Sequence, residues 1–202
     1  MKKQFTFLTF LFGVLIIFSS CDPEETGMPW WTQGTPGVVI TSKSYLMIDD
    51  VRHELSNAYI YPHGNYLKLF LFSKTVPYDD FLSGFTGSGT GIFADFDFPA
   101  PTTTLPAGDY TYLKQGVVIP FQGKNFSSCR FAANIGWWMA RNKDLNLLDS
   151  GTATITKSNS SYTINISGED TYGREIKCYY KGVIREINKV SNLFNWDFDW
   201  DF

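Results

Sequence analysis

The chain has 202 residues, a formal net charge of −3, and 44% hydrophobic residues against 18% charged. That balance sets nucleic acid aside as a partner, because recognition of a polyanion starts from a basic footprint. The 17% aromatic content, with 18 Phe and 11 Tyr beside 17 Gly, favours strands and turns over helices.

Lys2 and Lys3 precede an apolar run from Phe5 to Phe18, which is followed by Ser19, Ser20, Cys21 and then Asp22-Pro23-Glu24-Glu25. A basic start, a short apolar stretch and small residues before a break are the parts of a secretory signal peptide. The run is shorter than the about 20 apolar residues that cross a bilayer. With the break at a cysteine, the segment resembles the bacterial lipoprotein signal, although Phe18 stands where that pattern usually has Leu. The resemblance implies cleavage after residue 20, acylation of Cys21 and attachment to the membrane through lipid. Asp22, Glu24 and Glu25 also resemble the export signal that carries Bacteroidota lipoproteins to the outer face of the outer membrane. A solvated acidic linker is the alternative reading of the same three residues.

Residues 22–37 hold Pro23, Gly27, Pro29, Gly34, Pro36 and Gly37, a composition that suits a tether. The expected organisation is a signal peptide over 1–20, a tether over 21–37, one β-rich domain over 38–190 and a tail over 191–202. A chain of this size buries roughly 70% of its unfolded surface, so one core is expected. From Val38 the hydrophobic pattern has period two, the mark of a half-buried strand. Strands are predicted over Val38 to Thr41, Tyr45 to Asp49, Glu54 to Tyr61, Tyr66 to Phe72, Gly91 to Phe98, Gly108 to Leu113 and Phe131 to Met139. Three more, Gly151 to Thr156, Ser161 to Ser167 and Arg174 to Ile187, are separated by turn-forming Lys157 to Ser160 and Gly168 to Gly173, and read as a meander. Only Tyr78 to Leu82 and Ala140 to Leu148 suggest brief helical turns.

Many short strands with Gly and Pro between them predict an all-β fold, an antiparallel β-sandwich, with a closed lipocalin-like β-barrel as the alternative. Gly151 to Ile155, Tyr162 to Ile166, Tyr180 to Gly182 and the upstream Leu105 to Tyr110 resemble a recurring pattern in small Bacteroidota lipoproteins of no assigned activity. That resemblance implies fold and location, not chemistry.

The chain has two histidines, His53 and His63, and neither lies in a nucleophile motif. HExxH, paired CxxC and a phosphate loop opening a helix are not found, and the glycine-rich Gly84 to Gly91 reads as a hairpin loop. No catalytic residue, metal site or cofactor is therefore assigned. Cys129 shares strand parity with Phe131, Ala133, Ile135 and Trp137, and Cys178 with Ile176 and Tyr180. In an oxidising compartment these two inward thiols are candidates for a disulfide, with two buried free thiols as the alternative. The opposite parity sends Arg130, Asn134 and Trp138 outward, a candidate sugar-stacking platform. The tail alternates Trp196, Phe198, Trp200 and Phe202 with three aspartates. It reads as an edge strand covering the domain or as a strand donated to a partner, and it also resembles the C-terminal signal of outer-membrane barrels. The functional expectation is a non-enzymatic, lipid-anchored envelope module that binds a glycan or a protein. The alternatives are a carrier with an apolar cavity and an envelope subunit joined through the tail.

Overall fold

The computed structural model describes residues 44–114, 124–137 and 140–190. The predicted strand Val38 to Thr41 and the tail lie outside these residues. Among the described residues thirteen strands are formed: β1 Tyr45–Ile48, β2 Val51–Glu54, β3 Asn57–His63, β4 Tyr66–Phe72, β5 Tyr78–Asp79, β6 Gly84–Phe85, β7 Ser88–Asp97, β8 Gly108–Tyr112, β9 Asn125–Gly136, β10 Asn146–Ser158, β11 Ser161–Asp170, β12 Glu175–Val183 and β13 Arg185–Glu186.

Eleven of them make one mixed, strongly curled sheet in the order β13-β3-β4-β7-β9-β8-β10-β11-β12-β1-β2, and β5 and β6 form a separate small hairpin. The sheet is a half-barrel, neither the sandwich expected from the sequence nor the closed barrel held as its alternative. The alternation that predicted strands carries no record of which strand turns away from the sheet, and among the described strands only the short β5 and β6 do. The concave face folds on itself, so its opposite flanks supply the contacts that a second sheet would supply in a sandwich. Among the described residues the end strands, β13 and β2, pair only inward, β13 in parallel with β3 and β2 with β1, so the sheet does not close.

The meander β10-β11-β12 forms as predicted, with a long register that pairs Ile155 with Ile164 and Ile164 with Tyr180. The turn between β1 and β2 places Asp49 and Asp50 at φ 49 and 65, the two left-handed residues that a tight hairpin with native twist requires. Of the two segments expected as brief helical turns, one differs and one forms. Tyr78 to Leu82 supplies β5 and the hairpin tip, while Ala140 to Leu148 holds one short 3-10 turn, Asn142–Asp144, before β10 begins.

The concave core gathers apolar residues from both flanks, among them Leu46, Leu67, Leu69, Leu71, Phe96, Phe126, Phe131, Ile164 and Ile176, each at most 1% exposed. A second cluster covers the convex side of β3, β4, β7 and β9. Phe70, Phe72, Phe93 and Trp137 pack there under Phe85 of the hairpin and Ile187 just after β13. The chain therefore buries both faces of one half of its sheet and one face of the other half.

Strand β9 shows how the faces are assigned. Ser128 and Asn134 have φ 47 and 56, and at each of them β9 carries one residue more than its partner β7. Each is a bulge, and each inverts the alternation that follows it. Cys129, Phe131 and Ala133 consequently face the concave core while Ile135 and Trp137 join the convex cluster. The sequence reading had all five on one face.

Candidate binding face

On the open half of the sheet, β8, β10, β11, β12 and β1 alternate buried and solvent-facing residues with period two, and β2 pairs with β1 at the edge. Register aligns the solvent-facing residues into rows that cross six strands. One row runs Glu54, Tyr45, Tyr179, Asn165, Thr154, Asp109. Its neighbour runs Arg52, Met47, Lys177, Ser167, Thr152, Thr111. At about 4.8 Å per strand step, each row spans roughly 24 Å.

Tyr45 and Tyr179 sit directly opposite each other and their rings stack, with centroids 5.9 Å apart and planes at 29°. The Arg52 guanidinium lies 4.2 Å from the Tyr45 ring centre, a cation–π contact that fixes this ring from the far side of the pair. Both tyrosines are half-buried. Polar groups flank them. Thr154 donates to the Asp109 carboxylate at 2.8 Å, Thr152 and Ser167 hydroxyls meet at 3.4 Å, and Lys177 pairs with Glu175 at 2.7 Å. The face thus offers one aromatic platform and a line of hydroxyl, amide and carboxylate groups, which is chemistry for stacking and hydrogen bonding.

The closed half carries a polar cluster of its own. On the convex side, Lys68 stands opposite Asp95 and bonds both carboxylate oxygens at 2.9 and 3.1 Å. Burial raises the Asp95 carboxyl above its ordinary value, and the Lys68 ammonium works against that rise. Asp97, two residues on and on the same face, is pushed up to about 6 by burial and then by the negative charge of Asp95. Its Oδ1 is buried with no hydrogen-bond partner. Arg130 is half-buried beside this group, and burial lowers its guanidinium from the ordinary value.

Of the residues singled out from the sequence, Arg130 therefore joins the convex side of the closed half, and exposed Asn134 occupies the second β9 bulge. The inversion at Asn134 keeps the two from forming one row. Trp138, the third member of that platform, lies outside the described residues, as do Cys21 and Trp196, Phe198, Trp200 and Phe202. Cys129 and Cys178 both point into the concave core, 0% and 3% exposed, and both are free thiols, so the candidate disulfide is not formed. Burial raises both thiols well above the ordinary range, and Cys178 adds to the rise at Cys129.

His53 stands opposite core residue Leu46, and burial lowers its pKa. His63 stacks on Tyr61 at 5.8 Å. Among the described residues no group of three or more His, Cys, Asp or Glu side chains could hold a metal ion, and no helix is long and apolar enough to cross a membrane. Sequence reading missed Tyr45, Arg52 and Tyr179. Their signal was present in the alternation, because Cys178 and Tyr180 facing inward oblige Tyr179 between them to face out. What the alternation lacks is the register that places Tyr45 against Tyr179. No family model, curated protein or solved structure matches the chain.

Proposed function

We propose that this protein is a lipid-anchored cell-envelope module, without catalytic activity, that binds glycan on the open face of its half-barrel. The observation that carries the reading is the Tyr45–Tyr179 stack, held by Arg52 and set in a row with Glu54, Asn165 and Thr154. Pyranose rings present C–H faces that pack on aromatic rings, and their hydroxyls need donors and acceptors within the same plane. A row of about 24 Å along the curved sheet suits an extended oligosaccharide better than a compact ligand. The high aromatic content, which also motivated a carrier with an apolar cavity, is taken up by packing in both cores. Phe96 meets Tyr110 at 5.0 Å and Phe126 at 5.6 Å, and Phe72 meets Trp137 at 4.7 Å.

Attachment through Cys21 and display at the outer membrane belong to the same proposal and rest on the resemblance of residues 1–25 to a lipoprotein signal. Binding of the purified protein to an array of bacterial envelope and plant polysaccharides tests the glycan reading. Retention that is lost in both Tyr45→Ala and Tyr179→Ala, with the fold intact by circular dichroism, supports it. Equal retention by wild type and both variants overturns it. Extracellular protease on intact cells, beside a periplasmic control and a Cys21→Ala form, tests the location. Digestion of the domain with the control intact supports surface display, and protection overturns it.

A further inference from the structure

The most exposed large apolar side chain among the described residues is Phe81, at 94%, and its neighbour Leu82 is 43% exposed. They form the tip of the β5–β6 hairpin, and the tip is built rigidly. The Asp79 carboxylate accepts hydrogen bonds from the backbone N–H groups of Phe81 and Leu82, both at 2.9 Å. Arg185 donates to both oxygens of Asp80 at 2.7 Å. Ser83 takes the left-handed conformation, φ 51, that closes the turn.

Below the tip, the hairpin is fastened to the convex cluster. Phe85 is 1% exposed and packs on Phe70 at 4.8 Å and Phe72 at 4.6 Å. Tyr78 meets the Phe85 ring edge-on at 5.5 Å, and its hydroxyl donates to the Lys189 carbonyl. Ordinary burial would turn Phe81 inward, where this aromatic cluster lies. The Asp79 turn instead fixes the backbone so that Phe81 and Leu82 project into water from a base that carries exposed Lys189 and the Arg185–Asp80 ion pair.

We propose that Phe81 and Leu82 form a wedge that enters the interfacial layer of the bilayer holding the protein's lipid anchor, and so fixes how the domain sits on that membrane. The proposal rests on the reading of Cys21 as the acylated residue. A ring and a branched chain with charged and polar groups at their base match an interface that is apolar below and polar at its headgroups. The length of chain before the domain supplies the second argument. Residues 22–43 separate Cys21 from Ser44, and a chain of that length reaches at most roughly 75 Å. A domain so tethered meets its own membrane at an effective concentration on the order of millimolar, so a wedge too small to bind a membrane from solution suffices to orient it.

The test uses the chain from Asp22 onward with a hexahistidine tag in place of Cys21, held on vesicles by a nickel-chelating lipid, so the tether exists whether or not cells acylate the cysteine. Leu82→Cys carries an environment-sensitive NBD dye, which the buried Cys129 and Cys178 do not take up in the folded protein. A blue shift on tethering, quenching by spin-labelled lipids, and loss of both when Phe81→Ser is added are the expected results. An unshifted dye on vesicles of zwitterionic and anionic composition alike overturns the wedge. Incorporation of an alkyne-labelled fatty acid in cells, compared with Cys21→Ala, tests the anchor separately, so the two failures are told apart.

Discussion

Strands β3, β4, β7 and β9 are covered on both faces, whereas β10, β11, β12, β1 and β2 keep one face in water. The difference is written in the strands themselves. The β4 segment reads YLKLFLF and β7 reads SGTGIFADFD, nearly continuous apolar runs in which only Lys68, Asp95 and Asp97 interrupt the second face. The β10 and β11 segments read NLLDSGTATITKS and SYTINISGED, with the small polar residues Thr152, Thr154, Thr156, Thr163, Asn165 and Ser167 at outward positions. Aromatic residues thus serve two purposes in one sheet. In the closed half they cement a second layer, and in the open half the Tyr45–Tyr179 pair is left on the surface.

The comparison breaks first if the two halves respond alike to truncation. Phe72 is fully buried between Phe85 and Trp137, at 4.6 and 4.7 Å. Phe72→Ala removes the centre of the convex cluster and is expected to cost about 3–5 kcal/mol, read by urea denaturation. Thr154→Ala on the open face is expected to stay within about 0.5 kcal/mol. A Phe72→Ala loss as small as that of Thr154→Ala would mean that the convex layer does not contribute to stability.

A smaller effect is expected at Gly91, where β7 passes beneath that cluster. A Cβ there would lie 2.1 Å from Phe72 Cδ1 and 2.9 Å from Trp137 Cζ2. Gly91→Ala therefore forces two packed rings aside, and about 1–3 kcal/mol is expected from overpacking. Thermal melting monitored by near-ultraviolet dichroism of Trp137 reads both the loss and the displacement. An unchanged spectrum would show that the layer is looser than its contacts indicate.

Asp97 sharpens the comparison by pH. Its carboxyl titrates near 6 in the folded chain against an ordinary 3.8, chiefly because of burial and next because of Asp95. The folded state thus holds this proton to a higher pH than the unfolded state does. Below about pH 4 both states are protonated and the group is neutral toward folding, and from about pH 4 to about 6 its ionisation increasingly opposes the fold. After discounting for its partial exposure, the penalty at neutral pH is about 1–2 kcal/mol. Asp97→Asn is expected to raise stability by about 1 kcal/mol at pH 7.5 and to leave it unchanged at pH 4, in paired urea titrations. A gain of equal size at both pH values would assign the effect to packing instead of charge.

How far these features were legible in the sequence depends on the kind of information each one needs. The meander was readable because its alternation is local and its turns carry their own chemistry, as Asn159 does at φ 54. The inward direction of Cys129 and Cys178 was readable for the same reason. The platform of Arg130, Asn134 and Trp138 was drawn by extending alternation through β9, and the left-handed Asn134 ends that extension. Asparagine is among the residues that tolerate this conformation, but its presence in a strand does not announce a bulge. The half-barrel was not legible at all, since a sandwich and a curled single sheet use the same strands and differ in which edges pair. The apolar second face of β4 was visible in Phe70 and Phe72, yet the hairpin that covers it was read as a glycine-rich loop and a helical turn.

The smallest stability effect is expected at the site proposed for binding, and it separates function from fold most cleanly. Tyr179 is half-buried on a face that otherwise meets water, with its ring 5.9 Å from that of Tyr45. Tyr179→Ala removes one aromatic contact, and the coupling between the two rings in a double-mutant cycle with Tyr45→Ala is expected at about 0.5 kcal/mol, the low end for aromatic pairs. Solvent-facing cross-strand pairs of this kind contribute little beyond local strand pairing. Glycan retention should instead fall at least tenfold in either single variant, because each removes half of the stacking surface. Tyr179→Phe keeps the ring and discards only the hydroxyl, so it is expected to retain most of the binding. If Tyr179→Phe were as impaired as Tyr179→Ala, the hydroxyl and not the ring face would be the recognising group, and the platform would have to be replaced by a hydrogen-bonding site centred on Asn165 and Thr154.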